Sequence, residues 1–343
     1  MNPRFRKRLK FSRIVTLLFI RSLFKPLTAW TQLYVTRRCN LKCSYCFTFE
    51  EGRREMDNAE IKKAIDKLYS IGVRIISFFG GEPTLRTDLP DILKHAADKG
   101  IWSNLCTNAT LLTPEYIEKI GNAGVDSVFV SVDSVFEWSE SQKDYTTHKQ
   151  VLPWLLEGRK KFGFEIIAGA VITNKNLDGL IATVKLVNGF KIPIALNMIT
   201  ADTYSSKPMK DGLFFNTKEE KEKLYKILEE LKEMKRQGCR IMEPYSYFDD
   251  IKKFVNGELG RWNCCAGKHH LSIDCDGKVQ LCPTLPDENT TVFELDEDYA
   301  AKFAAVRQER LKICTGMCLS NSFYSISRAV SFPFPRLASL WKH

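Results

Sequence analysis

Short apolar runs alternate with amphipathic segments over the first two thirds of the chain. The apolar runs are rich in Val, Ile, Leu and Phe, and the segments between them have helical spacing and N-terminal caps. Near-continuous apolar runs are typical of strands that are buried on both faces of a parallel sheet. The pattern predicts six strands, at 32–36, 74–79, 101–107, 125–132, 165–172 and 192–199.

Predicted helices alternate with these strands, and a long amphipathic helix follows the sixth. Asp57-x-x-Glu60 and Thr217-x-x-Glu220 have the pattern of a capping box, and Pro114 suits the first turn of a helix. Six such units predict an α/β fold with a parallel sheet and right-handed crossovers. They are too few to close an eight-stranded barrel. The other predicted helices span 57–70, 88–99, 113–124, 149–162 and 176–188.

The eleven cysteines fall into groups, which indicates cofactor ligands in a reducing compartment rather than disulfides. Six lie between Cys264 and Cys318. Cys39, Cys43 and Cys46 form a C-x3-C-x2-C run after the first strand. Three thiolates can each bind one iron of a [4Fe–4S] cubane and leave the fourth iron open. A structural zinc site would need four ligands, so zinc or redox thiols are the weaker alternatives.

Polar stretches follow the next three strands, at the edge where the carboxyl ends of parallel strands meet. They are Gly80-Gly81-Glu82-Pro83, Thr107-Asn108 and Ser131-Val132-Asp133. Tyr45 stands just before the last cysteine of the first run. Together, the cysteine run, the GGEP stretch and the strand-end polar groups closely resemble the radical S-adenosylmethionine (SAM) superfamily.

The resemblance implies a fold, cofactors and roles for these residues. The core at 31–237 is expected to be an open (β/α)6 three-quarter TIM barrel whose three cysteines hold a catalytic cluster. SAM would bind the open iron, and an electron from a donor such as flavodoxin or ferredoxin would cleave it to methionine and a 5′-deoxyadenosyl radical. The resemblance places SAM against the GGEP stretch and four further residues, Tyr45, Asn108, Ser131 and Asp133.

A second cysteine group lies in the region 238–320. Its C-x-A-G segment, followed by D-G-x4-C, resembles the SPASM or twitch extension of radical SAM enzymes. Cys265 is an alternative to Cys264, Cys275 is expected to be a spare thiol, and zinc is an alternative metal. The neighbouring His269 and His270 are expected at the surface. The resemblance implies one auxiliary [4Fe–4S] cluster with four thiolates, Cys264, Cys282, Cys314 and Cys318.

The net charge of +10 is concentrated at the N-terminus. Residues 1–38 contain ten Lys or Arg and no acid, so the net charge of the remaining chain is zero. A folded domain without a basic excess is not expected to bind nucleic acid. Within the leader, 1–30, the apolar run from Ile14 to Ile20 is too short to span a bilayer. The leader and the apolar, basic tail at 321–343 are therefore candidate membrane-surface segments. The alternative is that the leader packs against the bottom of the barrel.

The sequence predicts a cytoplasmic radical SAM enzyme, peripheral to the membrane if the leader binds lipid. Its charged, apolar ends favour an apolar or lipid-like small molecule as substrate. The SPASM-like extension favours maturation of a peptide or protein instead. A non-catalytic iron–sulfur protein is the third hypothesis, but such a protein has no need of a SAM pocket.

Overall fold

The computed structural model describes residues 2–22, 30–46, 48–50, 52–137, 141–144, 148–199, 212–259, 264–282, 289–313, 318–320 and 324. Its strands are β1 (Trp30–Thr36), β2 (Ile75–Gly80), β3 (Trp102–Thr107), β4 (Ser127–Ser131), β5 (Glu165–Ile172), β6 (Ile194–Met198), β7 (His270–Ile273) and β8 (Val279–Gln280). Its helices are α1 (Pro3–Ser22), α2 (Asn58–Ser70), α3 (Leu89–Asp98), α4 (Pro114–Asn122), α5 (Val151–Phe162), α6 (Leu177–Gly189), α7 (Lys218–Arg236), α8 (Tyr245–Val255), α9 (Tyr299–Lys302) and α10 (Ala304–Ile313).

Strands β1 to β6 pair in parallel in chain order, with a helix between each successive pair. Among the described strands β6 and β1 are not neighbours, so the sheet is open. This confirms the predicted α/β fold with a three-quarter barrel. The predicted capping boxes at Asp57 and Thr217 are present and start α2 and α7.

The cysteine-rich hairpin joins this same sheet. β7 pairs in parallel with β1, with Trp30 opposite His270 and Leu33 opposite Ile273, and β8 pairs antiparallel with β7. The predicted boundary after residue 237 falls in the turn that ends α7, and the chain beyond it returns to the barrel sheet. β1 therefore has a strand on each side.

Helix α1 lies across the amino ends of β3, β4 and β5. Lys7 and Lys10 both bind Asp126, at 2.8 and 2.6 Å, and this carboxylate is fully buried. Arg4 binds Glu165, the first residue of β5, through two hydrogen bonds of 2.9 Å. These ion pairs hold the helix at the bottom of the barrel.

Apolar contacts continue this docking along α1. The ring of Phe11 meets Trp102 edge-on, with centroids 4.9 Å apart, and Ile14 is buried. The packed alternative for the leader is therefore supported over the described part of the helix. The outward side of α1 still exposes apolar and basic residues, namely Phe5, Arg6, Arg13, Leu17 and Ile20.

The predictions for the two chain ends can be compared with the structure only over the described residues. No helix in the described ranges is long and apolar enough to cross a membrane. Apart from Tyr324, the predicted tail 321–343 lies outside the described residues, as do residues 23–29 of the leader.

The expectation that His270 lies at the surface is wrong. Its side chain is buried in β7 and packs edge-on against Trp30 of β1, with ring centroids 6.0 Å apart. Burial lowers the pKa of His270 to about 3, so its imidazole is neutral at physiological pH. The neighbouring His269 is half-buried.

Replacing Asp126 tests how much the docking of α1 contributes to stability. Asp126→Asn leaves Lys7 and Lys10 without their carboxylate at the barrel bottom. The free energy of unfolding should fall by ~3 kcal/mol, as when one partner of a buried ion pair is removed. The exposed Arg13→Gln should change it by less than about 0.5 kcal/mol. Equal urea denaturation midpoints for the two variants would contradict the assignment.

Candidate cofactor site

The cysteine run forms a loop at the carboxyl end of β1. Cys43 is buried, whereas Cys39 and Cys46 are half-buried, and the Cys46 N–H donates to the Cys43 carbonyl at 3.1 Å. The three thiols are close enough to interact electrostatically, Cys43 with both of the others. The structure thus brings the predicted ligands together.

Two glycines of the GGEP stretch let the start of this loop lie directly against the end of β2. A Cβ on Gly81 would lie 2.1 Å from the Arg38 carbonyl oxygen, and one on Gly80 would lie 2.3 Å from that of Thr36. The Gly81 N–H donates to the Thr36 carbonyl at 2.9 Å. Only glycine permits this backbone approach.

The carboxylate of Glu82 is used within the protein. It is buried and accepts hydrogen bonds from the Thr84 and Thr107 hydroxyls, at 2.6 and 2.7 Å, and from the Asn108 N–H, at 2.7 Å. Burial raises the pKa of Glu82. Its position ties β2 to β3, and Pro83 begins the short 3-10 helix that follows. This carboxylate is therefore already engaged by hydrogen bonds within the protein.

Asn108 lies at the end of β3 and contacts the cysteine loop. Its amide Nδ2 donates to Asn40 Oδ1 at 2.9 Å and lies 3.9 Å from the Cys39 sulfur. Its Oδ1 accepts from the Thr110 N–H at 3.0 Å. Asn108 therefore supports the loop that carries Cys39.

Asp133 and Tyr45 meet above the end of β4. The Tyr45 hydroxyl donates to the buried Asp133 carboxylate, which also accepts from the Ser141 hydroxyl at 2.5 Å and the Val171 N–H at 2.9 Å. Ser131, at the end of β4, is half-buried on the same edge. Tyr45 and Asp133, both predicted from the family resemblance, thus lie in one network beside the cysteine loop.

Lys143 belongs to this network but was not predicted. Its Nζ lies 3.1 Å from the Tyr45 hydroxyl and 5.2 Å from the centroid of that ring. Burial alone would lower the pKa of Lys143, but Tyr45 and Asp133 hold it above its ordinary value. Burial raises the pKa of the Cys43 thiol to about 11, and the Lys143 charge opposes that rise. Lys143 therefore favours negative charge at the cysteine loop.

The three thiols of the cysteine loop are the donor type that binds an iron–sulfur cluster. No three His, Cys, Asp or Glu side chains within the described ranges converge closely enough to hold one ion. A cubane does not require such convergence, because each thiolate binds a different iron. Three neighbouring thiols, the half-buried cation Lys143 and the glycine neck, which is the close backbone approach at Gly80 and Gly81, fit that group.

Comparison with known proteins agrees with this geometry. Residues 33–153 match the family described as the Radical SAM superfamily. The segment that carries the cysteine run, the GGEP stretch and the strand-end polar groups therefore matches the radical SAM superfamily. That superfamily uses a [4Fe–4S] cluster and SAM. A solved structure, native anSMEcpe with bound AdoMet, shares the fold, with a TM-score of 0.61 and 17% identity over 91% of this chain and 98% of that one.

Curated relatives align over parts of the chain. Fe-coproporphyrin III synthase of Methanosarcina barkeri is 33% identical over 172 residues, which is 49% of this chain and 42% of the relative. PqqA peptide cyclase of Bradyrhizobium diazoefficiens is 41% identical over 108 residues, 31% of this chain and 28% of the relative. The chain spans less than half the length of these curated relatives.

Several thiols of the second cysteine group, the part of the chain that resembles a SPASM or twitch extension, lie near one another. Cys264 is within electrostatic range of three other described thiols. Arg307 of α10 holds the backbone of this segment, donating to the Cys264 and Ala266 carbonyls at 2.6 and 2.8 Å. Cys314, a predicted ligand, lies outside the described residues. The thiols near Cys264 are Cys265, Cys282 and Cys318.

Two residues around this group complete its description. The Tyr247 hydroxyl donates to the Leu319 carbonyl at 2.9 Å and accepts from the Met198 N–H at 3.0 Å, which fixes the Cys318 segment against β6. Cys275 is buried and its thiol donates to the Arg54 carbonyl at 3.3 Å. That it is a spare thiol stays a prediction.

Glycine replacement tests the neck of the cysteine loop. Gly81→Ala should force the loop away from β2 because its Cβ would overlap the Arg38 carbonyl. We expect anaerobically prepared protein to lose most of the iron of this loop. Gly189→Ala is the matched control, because a Cβ there meets nothing within 4 Å. Iron retained by Gly81→Ala at the level of Gly189→Ala would show that the close approach is not needed.

Proposed function

We propose that the protein is a cytoplasmic radical SAM enzyme that cleaves SAM reductively and modifies an apolar small molecule. The arrangement that supports this proposal is the convergence of the cysteine loop, the glycine neck and the Asp133–Lys143 network at one edge of the barrel. When bound, the [4Fe–4S] cluster supplies the electron that cleaves SAM to methionine and a 5′-deoxyadenosyl radical. That electron would come from a donor protein such as flavodoxin or ferredoxin.

In this proposal the side chains and backbone of the protein bind the cluster and position SAM. Cys39, Cys43 and Cys46 hold the cluster, and the Gly80–Pro83 backbone faces the SAM amino group. Asn108 braces the loop. The remaining polar groups of the edge, Tyr45, Ser131, Asp133 and Lys143, position SAM and set the local charge.

The relatives' names include both small molecules and a peptide. One is named for Fe-coproporphyrin III and aligns over 49% of this chain, and one is named for the PqqA peptide and aligns over 31%. The choice of an apolar substrate therefore rests on the basic, apolar ends of the chain.

Maturation of a peptide is the second candidate. Its support is the assembled group around Cys264, because SPASM-like extensions are frequent in peptide-modifying members of the family. Both outer strands, however, are bordered by other segments of this chain: Ile194 of β6 bridges Ile241, and Lys278 beside β8 bridges Thr291. A peptide would therefore enter at the barrel mouth rather than add a strand at these positions.

Cysteine replacement tests the proposed chemistry. Intact, anaerobically reconstituted protein should bind about eight irons, four for each cluster. Changing Cys39, Cys43 and Cys46 together to Ala should leave about four irons and abolish 5′-deoxyadenosine formation from SAM. Cys282→Ala with Cys318→Ala should instead remove the other four and leave SAM bound. SAM cleavage by the triple variant would exclude the proposal.

A peripheral membrane contact can be tested on the outward side of α1. Arg6 and Arg13 would each contribute about 1 kcal/mol near an anionic surface, and Leu17 and Ile20 are about half exposed. The protein should sediment with phosphatidylserine vesicles at low salt, and Leu17→Gln with Ile20→Gln should not. Leu111→Gln, at the opposite end of the barrel, is the control. Equal sedimentation of all three proteins, or none, would remove the membrane contact from the proposal.

A further inference from the structure

Both ends of the cysteine loop are held by one buried carboxylate. Asp274, in the turn after β7, accepts two hydrogen bonds from the Arg37 guanidinium, at 2.8 and 2.7 Å. Arg53 binds the same carboxylate at 3.0 Å. Arg37 precedes Cys39 by two residues, and Arg53 follows Cys46 by seven. Asp274 therefore connects the chain segments before and after the cysteine loop.

The ion pair is built into the interior. Asp274 is fully buried, and the Arg37 side chain is only 6% exposed and stacks on the Tyr34 ring at 4.6 Å. Gln280 of β8 also donates to Asp274, at 3.1 Å. A bidentate arginine held in this way restricts both position and orientation.

The same carboxylate belongs to the hairpin of the second cysteine group. Asp274 starts the tight turn between β7 and β8, where the Gly277 N–H donates to its carbonyl at 2.9 Å. Cys282 lies two residues after the end of β8. Tyr34, beneath the Arg37 guanidinium, interacts electrostatically with both Cys46 and Cys282. The two cysteine groups thus meet around one cluster of side chains.

From this arrangement we infer that Asp274 is a positioning residue that makes the order of the first cysteine loop depend on the folding of the second cysteine hairpin. A hairpin whose cysteines are bound holds Asp274 in place, and Asp274 holds Arg37 and Arg53. The carboxylate acts through these arginines and touches no reacting atom. This inference stands on the contacts of Asp274 and does not require that SAM be cleaved.

Hydrogen–deuterium exchange of the full-length protein tests the inference. Asp274→Asn should raise the exchange rate of residues 37–53 by about tenfold, because it leaves two arginines without their buried partner. Exchange of α4 should not change. Asp276→Asn, which removes the 3.1 Å contact to Arg53 and the 4.0 Å ion pair with Lys278 but leaves Asp274 in place, is the matched control and should leave the loop close to wild type. Equal exchange in the two variants would overturn the inference.

A double-mutant cycle tests the link between the two groups. Cys282→Ser should speed exchange of the loop in the wild-type background but add little in the Asp274→Asn background, since the connection is already broken. Additive effects would show that the hairpin does not act through Asp274. If Asp274→Asn does not fold, Arg37→Lys retains the charge and loses the two-point contact. It should give intermediate exchange, and wild-type exchange in it would equally refute the inference.

Discussion

The arrangement of this protein depends on the pairing of β1 on both of its sides. β2 and β7 both run parallel to it, so the carboxyl end of β1 emerges between the GGEP stretch and the hairpin turn. The cysteine loop must therefore satisfy both neighbours. On the β2 side, glycines let the two backbones approach closely. On the β7 side, an arginine forms an ion pair with a buried aspartate.

Much of the barrel could be predicted from the sequence because its signals are local. Capping boxes, apolar runs and the order of strands and helices each act over a few residues, and the positions predicted from them agree with the structure. The cysteine run and the GGEP glycines are recognisable motifs that each follow a strand, so their meeting at one edge was also predictable. Direction along a parallel sheet is enough to bring those loops together.

The missed features are long-range contacts without a motif. Lys143 lies twelve residues beyond the end of β4, and nothing in its neighbours indicates that it reaches Tyr45. Asp274 and Arg37 are 237 positions apart in the sequence. The place of His270 beside the second cysteine hairpin predicts exposure, yet the extra strand pairing buries it. Net charge is incomplete information in a similar way, since a surplus of Lys and Arg in the leader does not show that Asp126 and Glu165 bind several of them.

The position of α1 has a consequence for how a substrate would arrive. The helix covers the amino ends of the strands, whereas the cysteines stand at the carboxyl ends, a separation of about 20 Å for a six-residue strand. If α1 rested on a bilayer, the barrel mouth would open toward the solvent. A lipid could not then slide sideways from the leaflet to the cysteines. It would have to leave the bilayer and be delivered from the aqueous side, as a soluble molecule or on a carrier.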